Sequence, residues 1–427
     1  MKRKPFTRTA AVLTLLALAM SGVIPIVTAR AAIYFVRTNG NDTLPGTSWA
    51  EAKRHVAAAV AAATAGDEIW VAHGTYSEHL TLKPDLALYG GFAGTESTRA
   101  QRDWTNHLCV LWGATNQAVV TITNAGPATR LDGFTVGGGM GIHGGGIKTI
   151  GAGPVIAHCT VRNNITDGAG AGISIWGFQL LSSTNANFPV ITNNVIVNSQ
   201  YNGLSIRARN LDGKMQNITI ANNTFYGAGN TCLQVSNGDI ASNVVIANNA
   251  IYQSSGTATA FNAAQGIAGI TLANNLYYGA ANASSPGLVL GPAPAAVFAN
   301  ASATLGQMDL YPLTAGALID AAVNAYAPAD DFNALNRPRN GTADIGAYEY
   351  YYDTNPGWKL AASFRSVGIP GDVTLDGHVN VFDLQRMAVS WNKQQGDSGY
   401  DPACDFTGDK KVNIFDLQKM AQNWNRF

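Results

Sequence analysis

The sequence predicts an all-β solenoid followed by a small α-helical module. Asn-Asn pairs recur in matching contexts through the middle of the 427-residue chain, and two similar acidic loops follow each other near its C-terminal end. A repeat with a period of about 20–50 residues indicates a solenoid, because each unit can bury its apolar face only against its neighbours. We therefore expect one large repetitive domain and one small domain.

The larger repeat is marked by five Asn-Asn pairs whose second residues lie 30, 29, 26 and 26 positions apart. Alternating β-branched residues precede each pair and a short apolar run follows, so the unit consists of strands without a helix. Asn tolerates left-handed backbone geometry and suits a sharp bend between two strands. Coils stacked about 4.8 Å apart would align the amides in one structural column. The pairs are Asn163-Asn164, Asn193-Asn194, Asn222-Asn223, Asn248-Asn249 and Asn274-Asn275.

Charge and the N-terminal segment indicate where the protein works. The 27 basic and 27 acidic side chains balance, so the total charge does not argue for nucleic acid or an anionic membrane as a partner, and we expect no nucleic-acid partner. Residues 1–31 combine a basic start, an apolar run and the small-x-small sequence Ala29-Arg30-Ala31, as in a cleaved signal peptide. No later segment reaches about twenty apolar residues, so we expect no membrane span in the mature chain. The protein is predicted to be secreted, either extracellular or associated with the cell surface.

The four cysteines lack the spacing of a metal site or a disulfide framework. We expect Cys109, Cys159, Cys232 and Cys404 to be small buried residues. A disulfide between Cys109 and Cys159 remains the alternative.

The coil sequences resemble those of secreted right-handed parallel β-helix proteins related to pectate lyases. GGGIKTIGAGPVIAHCTVRNN followed by GAGISI is similar to their coils, and AAVAAATAGDEIWVAHGTYSE with LYGGFAGTES resembles their N-terminal part. Residues 318–350 resemble the C-terminal end of the choice-of-anchor Q type. The resemblance implies an all-β right-handed parallel β-helix over residues 32–350, and the non-repetitive segment 351–370 is expected to be a linker. It indicates a fold and not a reaction, because this architecture carries many activities.

Both ends of a solenoid need a cover, because the terminal coils expose apolar faces and strand edges. Residues 48–51, Ser-Trp-Ala-Glu, have the form of a capping box and predict the start of an N-terminal capping helix. Near the other end, Arg337 lies close in sequence to Asp331, Asp344 and Glu349, which predicts an ion-paired cap. The apolar face of the predicted helix consists of Trp49, Ala52, Val56, Val60 and Ala63.

The second duplication consists of GDVTLDGHVNVFDL and CDFTGDKKVNIFDL, whose first aspartates lie 33 residues apart. Oxygen-bearing side chains recur at loop positions one, three, five, nine and twelve, and the EF-hand order adds the residue at position seven. Carboxylates that converge in this way repel one another unless a cation lies between them, so we predict two calcium sites. The ligands predicted for the first loop are Asp372, Thr374, Asp376, His378, Asn380 and Asp383. Those predicted for the second are Asp405, Thr407, Asp409, Lys411, Asn413 and Asp416.

A helix is expected after each loop, because apolar residues recur there at helical spacing. The two sets are Leu384, Met387, Ala388 and Trp391, and Leu417, Met420, Ala421 and Trp424. The duplicated loop and helix over residues 371–427 resemble a type I dockerin domain, which implies calcium as cofactor and a cohesin domain as partner. The sequence departs from the family pattern at Lys410, which replaces the turn glycine at a cost of about 1 kcal/mol. Thr at position three and the apolar pairs Val381-Phe382 and Ile414-Phe415 are further departures.

In the related β-helix folds, substrate lies along the strand that follows the Asn turn by about ten residues. The corresponding strands here are 146–149, 172–176, 203–207 and 232–236. Their apolar residues alternate inward. The residues expected to face outward along one groove are Lys148, Ser174, Trp176, Ser205, Arg207, Gln234 and Ser236.

Two reactions are conceivable in this groove. Trp176 can stack on a sugar ring while Lys148, Arg207 and Arg209 bind uronate carboxylates, with Arg207 or Lys148 as the base of a lyase. Asp212 and Asp239 are instead the candidate acid pair of a glycoside hydrolase.

Neither active-site motif is recognisable in the sequence, and a solvated face is the alternative for every groove residue. A non-catalytic carbohydrate-binding solenoid or a structural cell-surface solenoid therefore stays open beside an enzyme of polysaccharide catabolism. The dockerin-like module favours a protein that acts on or binds polysaccharide.

Overall fold

A computed structural model of the chain describes residues 31–113, 116–166, 170–177, 189–208, 215–236, 240–263, 266–302, 308–352, 355, 371, 373, 379, 381–401, 404–407, 409–422 and 424. Residues 1–30 of the predicted signal peptide 1–31 lie outside these ranges, as does nearly all of the predicted linker. Arg209, Asp212 and Asp239 of the predicted groove also lie outside them.

Short strands form three long parallel sheets, named A, B and C in the order in which the chain enters them in each coil. Sheet A contains Ile33–Val36, Glu68–Ala72, Ala87–Phe92, Arg130–Asp132, Val155–Ala157, Val190–Thr192, Thr219–Ala221, Val244–Ala247 and Ile270–Ala273. Sheet B contains Gly74–Tyr76, Cys109–Trp112, Phe134–Gly137, Thr160–Arg162, Val195–Val197, Thr224–Tyr226, Ala250–Tyr252, Asn275–Tyr278 and Leu288–Leu290. Sheet C contains Leu80–Leu82, Val120–Thr123, Ile147–Ile150, Ile173–Gly177, Asn202–Ala208, Thr231–Ser236, Thr259–Ala263 and Ala280–Ala281.

Each strand pairs in parallel with its counterpart one coil away, and this register builds the core. In sheet C, Ile147 lies opposite Ile173, which lies opposite Leu204, and all three are fully buried. The apolar side chains alternate inward along every sheet and join one continuous cluster. Three parallel sheets around such a core define a parallel β-helix, so the predicted fold is confirmed.

Two pairs of strands lie outside these sheets. Met215–Gln216 pairs in parallel with Ile240–Ser242, and Phe298–Asn300 pairs antiparallel with Asp309–Pro312. The described α-helices are α1 (Val56–Ala62), α2 (Val381–Val389) and α3 (Ile414–Ala421), and the short 3-10 helices are Arg99–Gln101, Pro294–Ala296 and Asn324–Tyr326. Within the described ranges, no helix has the length and apolar character that crossing a membrane requires.

The N-terminal capping helix exists, but its predicted start is wrong. Helix α1 begins at Val56, where the Glu78 carboxylate accepts the amides of Val56 and Ala57 at 2.9 and 2.8 Å. Residues 48–51 form a turn instead, and Lys53 is bonded to the first strand through the carbonyl of Phe35. This pairing keeps the chain extended before α1, while Val56 and its neighbours on the helix join the core as expected of a cap.

The Asn column is confirmed for four of the five predicted pairs. The first residues of these pairs, Asn193, Asn222, Asn248 and Asn274, have φ values of 55°, 53°, 56° and 45° at the turn between sheets A and B. The expectation for Asn163-Asn164 is wrong, because this pair follows its sheet B strand. Asn163 stacks there on Asn198, whose Nδ2 donates to the Asn163 Oδ1 at 2.9 Å.

The second Asn of each stacked pair forms a buried ladder along the turn. The Nδ2 atoms of Asn194, Asn223 and Asn249 each donate to the Oδ1 atom of the next pair at 2.9, 3.0 and 2.9 Å. The same Oδ1 atoms also accept hydrogen bonds from main-chain amides. For example, the Asn194 amide donates to Asn223 Oδ1 at 3.0 Å. Since all of these groups are fully buried, the ladder satisfies polar atoms that would otherwise destabilise the core.

The C-terminal segment 318–350 is a strap along the Asn column, which corrects the prediction of an end cap. Asn222 and Asn248 donate to its carbonyls at Asp344 and Val323, at 2.8 and 3.0 Å. The predicted ion pairing is confirmed only for Arg337 and Glu349, 3.7 Å apart in the buried interior of the strap. The carboxylates of Asp331 and Asp344 accept main-chain amides of the strap instead.

The four cysteines are free and buried, as predicted, and the alternative disulfide is wrong. Cys109 lies opposite Phe134 in sheet B, and the following strand pairs Thr160 with Thr135, which places Cys159 on the far side of Phe134. The two cysteines are therefore two coils apart with a phenylalanine between them, too far for a disulfide.

Candidate functional site

The C-terminal module has a small core in which one residue from each helix is central. Met387 of α2 and Met420 of α3 are fully buried together with Val373, Val379, Cys404 and Val412. The other residues predicted for the two apolar faces are not buried in this way. Leu384, Trp391 and Trp424 are exposed, because so few core residues cover only a narrow stripe of each helix.

Three carboxylates of the second loop converge around α3. One oxygen from each of Asp405, Asp409 and Asp416 lies within 4.8 Å of the others. Asp416 is fully buried in the first turn of α3, where its two oxygens accept the amides of Thr407 and Asn413 at 2.9 and 2.8 Å. Such carboxylates repel one another unless a cation neutralises them, and their oxygens are the ligands that calcium prefers.

The remaining predicted groups of this loop surround the carboxylates in different ways. The Thr407 hydroxyl lies 3.0 Å from Asp416 Oδ1 and 3.3 Å from Asp405 Oδ1. Asn413 is the N-cap of α3: its Oδ1 accepts the amide of Phe415 at 2.8 Å. Its assignment as a calcium ligand stays a prediction. Loop position nine commonly acts through a water molecule.

Two lysines follow Asp409 and shape the turn of this loop. Lys410 has a φ of 69°, the left-handed geometry expected where the first loop has Gly377. Lys411 forms an isolated bridge with Gln394, and the main-chain bonds of that bridge use the Lys410 carbonyl and the Val412 amide. The Lys411 carbonyl takes no part in the main-chain bonds of this bridge. The oxygen atoms of the second loop fit a calcium ion.

Of the ligands predicted for the first loop, the structure describes Asp383, which is fully buried at the start of α2 as Asp416 is at the start of α3. The other predicted ligands of this loop lie outside the described residues: Asp372, Thr374, Asp376, His378 and Asn380.

The two helices expose large apolar side chains. Val389 is 74% exposed and Phe415 is 59% exposed, and Val381 and Ile414 are 51% and 50% exposed. Exposed apolar residues concentrated on so small a module are typical of a protein interaction surface.

The outer face of sheet C carries the residues predicted for the groove, in two columns. Lys148, Ser174, Ser205 and Gln234 lie in register in the first column. Arg207 lies opposite Trp176 on one side and Ser236 on the other in the second column. The strands match the predicted ones, and the expected neighbourhood of Trp176 and Arg207 is confirmed.

Trp176 is covered by its neighbours, so the prediction that its ring lies open to solvent is wrong. Only 7% of the residue is exposed. The His143 ring lies 4.6 Å from its ring centroid, the Arg207 guanidinium 5.6 Å and the Lys148 ammonium 5.5 Å. Both cations are held over the indole by cation–π attraction, and Lys148 also donates to the carbonyl of Ile142 at 3.0 Å.

The predicted exposure of Ser174 and Ser205 is also wrong, because both are fully buried. Their hydroxyls have no hydrogen-bond partner within the described part of the chain. Lys148, Arg207 and Gln234 remain partly exposed. The described face therefore presents cations and amides to solvent.

A buried charge cluster beneath the strap is missing from the sequence prediction. Asp132 is fully buried, with Arg102 Nη2 at 2.7 Å, Arg130 Nη2 at 2.5 Å and His158 Nδ1 at 3.1 Å. Burial opposes its ionisation, but Arg102 and His158 hold the pKa of Asp132 far below its usual range. His158 occupies the position in the column that Asn193 fills one coil later, and its φ is 51°. Its place at this turn could have been predicted from the repeat.

Comparison with known proteins identifies the C-terminal module. Residues 370–424 match the family model of the dockerin type I domain, so this segment is a type I dockerin domain. Domains of this type bind calcium. No curated protein matches the chain.

Two solved structures resemble the larger part of the chain. One, titled "Crystal structure of pectate lyase Pel9A", is 16% identical, covers 76% of this chain and 97% of its own, and has a TM-score of 0.30. The other, titled "Rhamnogalacturonan lyase", is 11% identical, covers 61% of this chain and 84% of its own, and has a TM-score of 0.28. The β-helix assignment rests on the sheets of this chain.

Proposed function

We propose that the chain is a secreted carbohydrate-active β-helix protein that its dockerin domain attaches, in the presence of calcium, to a cohesin domain. The observation that carries this proposal is the convergence of Asp405, Asp409 and Asp416 inside a segment that matches the dockerin type I model. The proposed organisation is a signal peptide over 1–31, a β-helix over 32–350, a linker over 351–370 and the dockerin over 371–427.

Calcium supplies the positive charge that lets the three carboxylates converge. In the second loop Asp405, Asp409 and Asp416 would hold it, with the Thr407 hydroxyl beside them. Asp416 sits in the first turn of α3, so holding its carboxylate also fixes the start of this helix. Calcium binding is therefore coupled to the placement of Phe415 and Ile414, whose exposed side chains belong to the proposed cohesin surface.

For the β-helix we propose a surface that acts on or binds polysaccharide. Lys148 and Arg207 are the partly exposed cations of sheet C, and a glycan with carboxylate groups would pair with them. Trp176 supports the two cations from below. Arg209 is a further proposed substrate-binding residue, and Asp212 and Asp239 are the proposed acid pair of a hydrolase.

The attachment is tested by binding the full chain to immobilised type I cohesins in calcium and in EDTA. We expect binding in calcium, loss in EDTA, and loss in calcium for Phe415→Asp, which places a charge on the proposed surface. Val289→Asp, an exposed apolar position on the β-helix, is the matched control and should bind normally. Equal retention in calcium and EDTA would contradict the proposal.

A non-catalytic carbohydrate-binding or structural cell-surface solenoid is the second candidate. The covered position of Trp176 favours it, because an indole that already packs against two cations is not an open sugar platform. A panel of acidic and neutral polysaccharides, read for reducing ends and for unsaturated uronates, separates the two candidates. Product release indicates an enzyme, and retention without product indicates a binding protein.

A further inference from the structure

The second calcium loop has a neighbour that lies outside its twelve residues. Tyr400 packs against the core of the dockerin domain, and its hydroxyl donates to Asp405 Oδ2 at 3.0 Å. The amide of Lys410 donates to the same oxygen at 2.8 Å. Two donors on Oδ2 fix the rotation of the Asp405 carboxylate and favour Oδ1 as the atom that meets a cation.

The chain holds Tyr400 in place from both sides. The Tyr400 amide donates to the carbonyl of Asp397, and the next residue, Asp401, is bonded to α2 and to the residue that follows it. The Asp401 amide bonds to the Ser390 hydroxyl at 2.7 Å, and the Asp401 carboxylate lies 2.9 Å from Arg386 Nε. The segment that carries Tyr400 is therefore fixed by hydrogen bonds, and this directs the Tyr400 hydroxyl toward Asp405.

The sequence has no equivalent tyrosine before the first loop. The residue 33 positions before Tyr400 is Val367, which has no hydroxyl. The second loop, in turn, has Lys410 at the left-handed position that Gly377 fills in the first. Since a non-glycine residue is strained at this φ, the second loop benefits from an additional group that holds Asp405.

We propose that Tyr400 is a positioning residue of the second calcium site, which orients Asp405 and so raises the calcium affinity of this loop alone. The inference rests on the proposed calcium function. A hydrogen bond to a metal-binding carboxylate typically changes affinity by about 10-fold or more, and the partial exposure of Tyr400 places the expected effect at about 3- to 10-fold.

The test is a calorimetric titration of calcium into the full-length chain. Asp405→Ala should remove one site, which identifies the second loop. Tyr400→Phe keeps the ring and should weaken that same site by about 3- to 10-fold, leaving the other site unchanged. Tyr352→Phe is the matched control, a well-exposed tyrosine that follows the strap, and should leave both sites unchanged.

A purely structural role gives a different result. In that case Tyr400→Phe lowers the melting temperature in EDTA while calcium affinity stays at the wild-type value, and the inference is overturned. Unchanged affinity together with unchanged melting overturns it as well. If Asp405→Ala retains both sites, the proposed calcium site itself is wrong, an outcome distinguishable from failure of the Tyr400 role alone.

Discussion

Replacing Asn223 by alanine removes one rung of the buried ladder and tests how the β-helix is held together. The Asn223 side chain takes part in five hydrogen bonds: it donates to Ile191, Ala221 and Asn249 and accepts two from Asn194. A buried hydrogen bond contributes about 0.5–1.5 kcal/mol, and a buried partner left unsatisfied costs about 1–3 kcal/mol. Since some partners keep other bonds, we expect Asn223→Ala to destabilise the β-helix by about 3–5 kcal/mol.

Guanidinium denaturation of the full chain, followed by the far-ultraviolet circular dichroism of the β structure, measures this loss. The control is Asn106→Ala, because the Asn106 side chain is exposed and donates only to Asp103. That substitution is expected to change stability by less than about 1 kcal/mol. Similar unfolding midpoints for the two variants would refute the assignment of the ladder as a main source of stability.

The remaining predictions concern charge, turn geometry and the outer face of sheet C. Burial opposes the ionisation of His158, but Asp132 and Asp330 raise its pKa to about 9 from 6.5; its contribution to stability is complete below about pH 6.5 and is lost as the pH rises through 9. Thermal melting from pH 7 to 10 should show this loss, and His158→Asn should reduce it. Lys410→Gly should stabilise calcium-loaded dockerin by about 1 kcal/mol in thermal melts, because glycine relieves the left-handed strain; an unchanged melting temperature would contradict it. Trp176→Ala should lower β-helix stability by about 3–5 kcal/mol, as loss of a buried indole does. Arg207→Ala should instead weaken retention on acidic polysaccharides with little change in melting temperature. Equal melting temperatures of the two variants would argue against the covered position of Trp176.

Local patterns were sufficient to predict the repeat and the convergence of carboxylates in the second acidic loop. The ligand spacing from Asp405 to Asp416 is fixed within twelve residues, so the sequence predicts the convergence that the structure shows. The Asn turns of the last four pairs lie in coils of similar length, and their spacing alone predicts one column. Even the left-handed φ of Lys410 follows from its loop position.

Features that depend on distant parts of the chain escaped the sequence. The coil that runs from Cys159 to Asn194 has 35 residues, longer than the later ones, and this longer coil shifted Asn163-Asn164 into apparent register with the column. The burial of Trp176 depends on His143 and Arg207 from neighbouring coils, and simple alternation within one strand contains no information about them.

The strap was misplaced for a similar reason. Its bonds to the Asn column join residues as far as 137 positions apart, as between Asn193 and Asp330, and no spacing rule covers such a distance. The internal pairing of Arg337 with Glu349 joins residues close in sequence and was predicted.

Hydrogen exchange of the full chain, with calcium and with EDTA, tests the central claim most directly. Calcium that binds the folded dockerin stabilises it by mass action, so peptides from α2 and α3 should be protected in calcium and should exchange rapidly in EDTA. Peptides from sheets A, B and C should exchange at the same rate in both conditions. Equal protection of α3 with and without calcium would show that Asp405, Asp409 and Asp416 converge without holding the ion, and the proposed calcium-dependent attachment would then be wrong.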